Sequence, residues 1–301
     1  KETMGYDASM KIVQVIITAA IGFFVLYKGM GLLPFIIAYL IGNCIMFVIT
    51  LFTYLKQDRF DFSIDKDLIK ETLKRSLPLS LAAIFGVIYF KIDTIMIAML
   101  KGDFSTGLYN SAFNIFAGLL FIIAISIKVI FPQLAKTFDK NREAFTRLLR
   151  LSAKYALILG IPIAAGISML SFRIMALLYD AEYSVAANAL VFVIWAFPFM
   201  FLASIFYATL VNIGEEKKLM KIMGIGAVMN IILNIFLISS YDYTGAAIAT
   251  VITQSSMMFL YYWTISRHNI RIGLFSLMLR PALGAIIMAA AIYIIGDVAL
   301  Y

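Results

Sequence analysis

The chain has 301 residues, of which 63% are hydrophobic and only 14% charged, whereas a soluble domain carries about 25% charged residues. That composition excludes a soluble globular fold and marks an integral membrane protein. The net charge of +8 does not indicate a nucleic-acid binder, because the basic residues sit in loops between apolar runs rather than on one continuous surface.

Taken in order, the sequence predicts nine transmembrane helices, at about 11–27, 32–55, 77–100, 107–131, 152–172, 184–210, 217–240, 245–265 and 280–300. A span of about 20 residues at 1.5 Å per residue covers a hydrocarbon core of about 30 Å. These runs are apolar all round and lack the ten-residue alternation of barrel strands, so they are helices. The chain starts at Lys1 with no initiator methionine or secretory signal, and ends at Tyr301 directly after an apolar span. It is therefore expected to be an internal fragment of a longer membrane protein. Cys44 lies inside an apolar segment and is expected to be a buried small hydrophobe. The only histidine, His268, lies in a basic loop and cannot anchor a zinc site alone.

Loop charges alternate: twenty basic residues fall in one set of loops and three (Lys28, Lys101 and Arg173) in the other, with Lys91 and Lys128 inside spans. The basic side is expected to be cytoplasmic, so the N-terminus of the fragment is cytoplasmic and its C-terminus outside the cell membrane. Two connectors on that side are longer than turns. Residues 63–76 place Ile64, Leu68, Ile69 and Leu73 near one face, with Glu71 and Arg75 able to pair on the other; residues 133–150 do likewise with Leu134, Phe138, Phe145 and Leu149. Both read as interfacial amphipathic helices. Residues 11–55 and 218–265 share a weak pattern of basic start, apolar span, glycine (Gly31 or Gly245) and second span, as in transporters built from repeats.

Polar groups within the spans carry the functional signal. Lys91 and Asp93 lie well inside 77–100, where an ionisable residue costs about 2.5–3.5 kcal/mol. Two apart, they point about 200° from each other and cannot pair on one helix. They serve either a structural bond to a neighbouring helix or a substrate or ion pathway, or else Lys91 snorkels outward past about two turns. Asn110 and Asn114, with Tyr109 beside them, share a face at a depth comparable to Asp93, where they can bond it or present amides to a ligand. Lys128 lies near the cytoplasmic end of that helix, within snorkelling reach of the interface. Asn230 and Asn234 repeat the pattern in the seventh span, Gln254 is midway along the eighth and Asn188 is early in the sixth. Amides and a few charges spread over several helices suit a polar cavity for sugars and pyrophosphate; each alone is also accounted for as interhelical glue. Pro162 and Pro198 are interior to their spans, where they kink a helix or are simply tolerated. There is no glycine-rich phosphate loop, no paired His/Glu motif and no nucleophile beside a histidine, so neither an enzyme nor ATP-driven transport is indicated.

Several stretches carry a resemblance: LIKETLKRSLPLSLAAIFGVIYFKIDTIMIAMLKGDFSTGLYNSAF, IFPQLAKTF, LLYDAEYSVAANAL, NIGEEKKLMKIMGIGAVMNIILN and YTGAAIATVITQS. Together, over about 5–301, they resemble the polysaccharide-biosynthesis (Wzx-type, O-antigen and repeat-unit) flippases of the multidrug/oligosaccharidyl-lipid/polysaccharide exporter superfamily. The resemblance implies an all-α fragment, about nine helices of a 12–14-helix transporter built from two bundles around a cavity. Residues 1–55 would be the last two helices of the N-terminal bundle, 56–76 a cytoplasmic amphipathic linker, 77–266 the C-terminal six-helix bundle and 267–301 an additional helix truncated at its end. The first four helices would be missing, so the fragment alone should not transport. Lys91 and Asp93 match charged positions of the seventh helix. The implied activity is translocation of a polyprenyl-pyrophosphate-linked oligosaccharide by alternating access. The implied partners are that lipid-linked oligosaccharide, the bilayer and other polysaccharide-assembly proteins, with no cofactor beyond possible coupling to H⁺ or Na⁺. The alternative is a cation-coupled drug or metabolite exporter of the same superfamily, with Asp93 as its coupling site. A third reading is a non-transporting scaffold.

Overall fold

The computed structural model describes residues 4–29, 31–57, 66–138, 140–179 and 181–298. Every regular element among them is helical: α1 Met4–Tyr27, α2 Leu32–Gln57, α3 Lys66–Lys101, α4 Asp103–Phe138, α5 Arg142–Leu178, a 3₁₀ turn Ala181–Ala186, α6 Ala187–Val193, α7 Ala196–Asn212, α8 Glu216–Ser266 and α9 Leu274–Val298. In a bilayer, only backbone satisfied within its own segment can face lipid, and these apolar sequences satisfy it by continuous helix. Large apolar side chains cover the outer surface, Phe275, Leu177, Met99 and Ile287 among them, as expected of helices solvated by hydrocarbon.

Among the described residues six helices are long and apolar enough to cross a membrane, or seven if the pair Glu182–Val193 and Ala196–Asn212, bent by 44°, counts as one span. The difference from the nine expected spans has physical causes. The run 11–27 lies in α1, whose apolar part, Val13–Val25, is shorter than a full crossing. The run 184–210 is broken one turn before Pro198, which has no N–H to give the Ile194 carbonyl; that carbonyl takes the Phe197 amide at 3.0 Å instead. The runs 217–240 and 245–265 are the two arms of α8, which meet at a non-helical Asp242 and count as one of the six.

α8 is not straight. Its Asp242 has φ 54° and ψ −144°, and the chain folds back there into an antiparallel helical hairpin. The register is fixed by three pairs whose residue numbers sum nearly to a constant. A side chain at Gly245 would collide with the Leu237 carbonyl, one at Gly226 with the Met257 sulfur, and Asn234 and Thr250 bond the same carboxylate. Small residues (Gly226, Ala227, Gly245, Ala246, Ala249) let the arms approach this closely. The reversal is held by Asp242 itself: Oδ1 accepts the Tyr243 amide at 2.7 Å and Oδ2 accepts the Ser105 hydroxyl at 3.1 Å. Lys101, at the end of α3, donates to the Ser239 carbonyl at 3.1 Å. The α3–α4 corner, where Gly102 takes φ 84°, is thus tied to the turn of the α8 hairpin.

Two compact units are formed, Lys1–Ile69 and Lys70–Tyr301. In the first, α1 and α2 make a hairpin in which Gln14 Nε2 donates to Asn43 Oδ1 at 2.8 Å and Gly42 receives Thr18. Cys44 is exposed on α2 rather than buried: hydrocarbon is as apolar as a core, so an apolar run does not say which side faces protein. In the second unit α7 is the central post. Phe197, Phe201, Leu202, Ile205 and Phe206 are buried among α4, α5, α6 and α8.

The expected interfacial helix at 133–150 is not a separate element. α4 runs on to Phe138, and α5 starts after Asn141, whose side chain accepts the amides of Glu143 and Ala144. Leu134, Phe145 and Leu149 are buried within the bundle, and the Phe138 and Phe145 rings meet at 5.2 Å. Residues 58–65 of the other connector, and the side chains of Leu68, Ile69, Glu71 and Arg75, lie outside the described residues; from Lys66 the chain is already α3. The glycines that suggested an internal repeat are not equivalent, since Gly31 takes φ 84° before α2 whereas Gly245 is helical and crowded by backbone.

Candidate functional site

The site is built around Asp93. It is 2% exposed and sits about three quarters of the way along α3, where α4 and both arms of α8 converge on it. Its Oδ1 accepts Asn234 Nδ2 at 2.6 Å. Its Oδ2 accepts the Tyr109 hydroxyl and the Thr250 hydroxyl, each at 2.7 Å. Asn234 also donates to Asn230 Oδ1 at 3.1 Å, and the Tyr89 hydroxyl reaches the Thr250 carbonyl at 3.4 Å. A charge-assisted hydrogen bond is worth about 1.5–3 kcal/mol, so three of them offset the cost of about 2.5–3.5 kcal/mol for a carboxylate at bilayer depth. One carboxylate thereby joins three helices.

The cluster has spare capacity. Asn230 Nδ2 and Asn234 Oδ1 are buried without a hydrogen-bond partner among the described residues. The Thr250 hydroxyl, with one proton, faces two acceptors: Asp93 Oδ2 at 2.7 Å and the Ala246 carbonyl at 2.9 Å. With Asp93 ionised, Thr250 donates to it. With a proton on Oδ2, Asp93 donates to Thr250 and the Thr250 proton turns to Ala246. The same heavy-atom geometry serves both states. Among the described residues no three His, Cys, Asp or Glu side chains come together to hold a metal ion.

The structure separates the other candidates. Lys91 points away from Asp93 and is exposed on α3, as their spacing requires. Asn110 does not reach Asp93; its Oδ1 accepts the Thr94 hydroxyl at 3.1 Å. Asn114 and Lys128 are exposed. The bonds Tyr109–Asp93 and Thr94–Asn110 and the Phe90–Phe113 ring pair at 6.2 Å set an antiparallel α3–α4 register that brings Lys91 level with Asn114. Asn110, Asn114 and Lys128 fall within about 40° of one another around α4, and the last lies about 21 Å from Asn114 along the axis. Gln254 is buried and lines a cavity of about 420 Å³ with Tyr89, Ser204, Tyr207 and Tyr261. The Tyr261 hydroxyl is buried without a partner among the described residues. Asn188 lies away from all of these, exposed at the start of α6.

Tyr109 and Thr250, ligands of the central carboxylate, were not among the residues the sequence singled out for the site. Their signal was a hydroxyl in an otherwise apolar span, Thr250 within GAAIAT and Tyr109 beside Asn110, which becomes legible only when the α8 hairpin sets their heights.

Comparison with known proteins places this architecture. The Polysaccharide biosynthesis protein family model matches residues 1–138, and the MatE family model matches residues 78–236. A probable low-salt glycan biosynthesis flippase, Agl15 of Haloferax volcanii, is 25% identical over 173 residues, 57% of this chain and 37% of that protein. The capsular polysaccharide biosynthesis protein CapF of Staphylococcus aureus is 26% identical over 202 residues, 66% of this chain and 50% of that protein. The chain thus spans about a third to a half of these relatives. Among solved structures, the lipid II flippase MurJ in an inward closed conformation superposes with TM-score 0.74 at 21% identity over 94% of this chain and 59% of that one. A multidrug resistance MATE family transporter in an outward-facing conformation gives 0.68 at 16% identity over 89% and 62%. At these identities the superpositions show the fold alone. The MatE model covers more than half of the chain, and the chain belongs to the MatE family.

Proposed function

We propose that this chain is part of a transporter that flips a polyprenyl-pyrophosphate-linked oligosaccharide across the cytoplasmic membrane by alternating access. The observation that carries the reading is the polar stripe along α3 and α4, in which Lys91, Asn114 and Lys128 are exposed and Asn110 is half-buried. Facing hydrocarbon, Lys91 and the amides would each be costly, whereas Lys128 can reach the interface; facing a water-filled pathway, amides suit sugar hydroxyls and the two lysines suit pyrophosphate. The match to polysaccharide-biosynthesis proteins supports the same substrate class. Other polysaccharide-assembly proteins would supply the substrate and receive it.

In this reading Asp93 is the coupling group rather than a sugar ligand. It binds α3, α4 and α8 together, and its hydroxyl partners can follow the arrival or departure of a proton or a monovalent cation without rebuilding the bundle. A cation-coupled drug or metabolite exporter is the second reading, favoured by the MatE match and by a buried carboxylate as a self-contained ion site. The whole protein in proteoliposomes separates the two. Lipid-linked oligosaccharide loaded in one leaflet and scored by a lectin in the other should appear in a protein-dependent way, more slowly with Lys91→Ala. Absence of translocation, together with dye efflux driven by a Na⁺ or H⁺ gradient and abolished by Asp93→Asn, would establish the exporter instead.

A further inference from the structure

A cavity of about 910 Å³ lies between the first half of α5 and the start of α9, lined by Arg147, Arg150 and Lys154 from α5 and Arg280 from α9, with Ile158 and Pro162 below them. No acidic side chain lines it, and among the described residues none of the four cations makes an ion pair. Three basic groups elsewhere in the chain do have partners: Arg142 lies over the Phe138 ring at 5.0 Å, Arg267 over Trp263 at 3.8 Å, and Lys218 bonds Glu215 at 2.6 Å. Four like charges converging on one cleft repel one another and call for an anion. A second cavity, about 430 Å³, flanks the opposite face of α9, with Met278, Ala285 and Ala289 in its wall; it contains no charged residue, so the charge is confined to one side of that helix.

We propose that the basic cavity holds the phosphate headgroup of an anionic phospholipid. Arg147, Arg150 and Lys154 share one face of α5 over about 10 Å, the depth of a headgroup layer, and Ile158 and Pro162 continue that face by two more turns into apolar lining. Leu151 and Ile158 at the cavity are themselves 45% and 41% exposed. Cations above and an open apolar wall below fit an amphiphile whose acyl chains run down α5. A soluble phosphate would leave that wall unmatched. Basic clefts between membrane helices are recurrent headgroup sites. The site is independent of the transport reading, because it needs only the bilayer.

The test is native mass spectrometry of the purified full-length protein with phosphatidylglycerol or phosphatidylcholine of identical acyl chains. Retention of phosphatidylglycerol should be about tenfold or more over phosphatidylcholine, most of that preference lost in R150Q/R280Q, and retained in R150K/R280K and in K217Q/K221Q, which neutralises exposed lysines elsewhere on α8. Thermal melting checks that each variant folds. Equal retention of the two lipids by the wild type overturns the proposal whatever the variants do. So does an unchanged preference in folded R150Q/R280Q, an equal loss in K217Q/K221Q, displacement by inorganic phosphate at matched concentration, which would make it a soluble-anion site, or displacement by a trace of undecaprenyl phosphate, which would assign the cleft to the carrier lipid.

Discussion

At the scale of single residues, Asp93 is stabilised by what points at it. Removing one donor leaves the carboxylate short of a bond without opening a large cavity. Tyr109→Phe and Thr250→Val are each expected to cost about 1–2 kcal/mol, between the range for charge-assisted bonds and the smaller average in membrane bundles. Asp93→Ala leaves the Tyr109 hydroxyl without its acceptor and takes one bond each from Asn234 and Thr250, so it should cost more than either, while still inserting in the membrane. Thermal denaturation in detergent ranks the three, and equal stability of all of them with the wild type would refute the role of the cluster. Glu215, in the turn between α7 and α8, follows a different rule. Its Oε1 accepts from Lys218 at 2.6 Å and meets His268 Nε2 at 2.8 Å. Burial raises its pKa, but these two hydrogen bonds and charges outweigh burial and hold the carboxyl below its ordinary value. A depressed carboxyl contributes stability that is present above the unfolded value, near 4.5, and is lost as pH falls through the folded one. Glu215→Gln should flatten that acid limb in melting curves taken between about pH 3 and 6 and leave the neutral-pH dependence unaltered.

At the scale of elements, close backbone approach decides the packing. A Cβ on Gly160 of α5 would stand 3.0 Å from Cα and Cβ of Pro198, which is in the first turn of α7. Gly160→Leu therefore has to push apart α5 and the central post, at a cost of about 1–3 kcal/mol for overpacking. Gly245→Val meets backbone rather than a flexible side chain and should cost more, since the turn of α8 cannot relax without releasing Asn234 and Thr250 from Asp93. Loss of folded protein on size exclusion for Gly245→Val, but not for substitution of the open helical position Gly118, checks this. The α8 hairpin reverses where the expected spans 217–240 and 245–265 meet; what the sequence does not show is that Asp242 holds the reversal, bonded by Ser105 and by its own neighbour's amide.

At the scale of the whole molecule, the polar stripe on α3 and α4 and the buried cluster should be separable by experiment. Lys91→Ala and Lys128→Ala touch no buried partner among the described residues and are expected to leave melting unchanged while lowering oligosaccharide translocation in proteoliposomes severalfold. The Asp93 cluster variants should change both. If the lysine variants of the whole protein translocate normally, the stripe does not face the pathway. Because the chain spans only part of its relatives, these tests require the complete transporter.

Composition by itself determined that this protein lives in a membrane, and runs that are apolar all round, without the alternation of barrel strands, determined that it is helical. Local pattern also marked Asp93, Asn230 and Asn234 as anomalous, since a polar group in an apolar span is costly wherever the span lies. Sequence spacing settled that Lys91 and Asp93 face opposite ways, a consequence of 3.6 residues per turn. Only the tertiary structure decided who meets whom. It gave Asp93 to Tyr109, Asn234 and Thr250 rather than to Asn110 and Asn114, and it merged the connector at 133–150 into α4 and α5. It also left Cys44 on the surface and gathered Arg147, Arg150, Lys154 and Arg280 around one cleft. Those outcomes depend on helix rotation and relative height, which are set by small-residue contacts and by the reversal at Asp242. Hydropathy does not encode them, because lipid and protein interior are equally apolar.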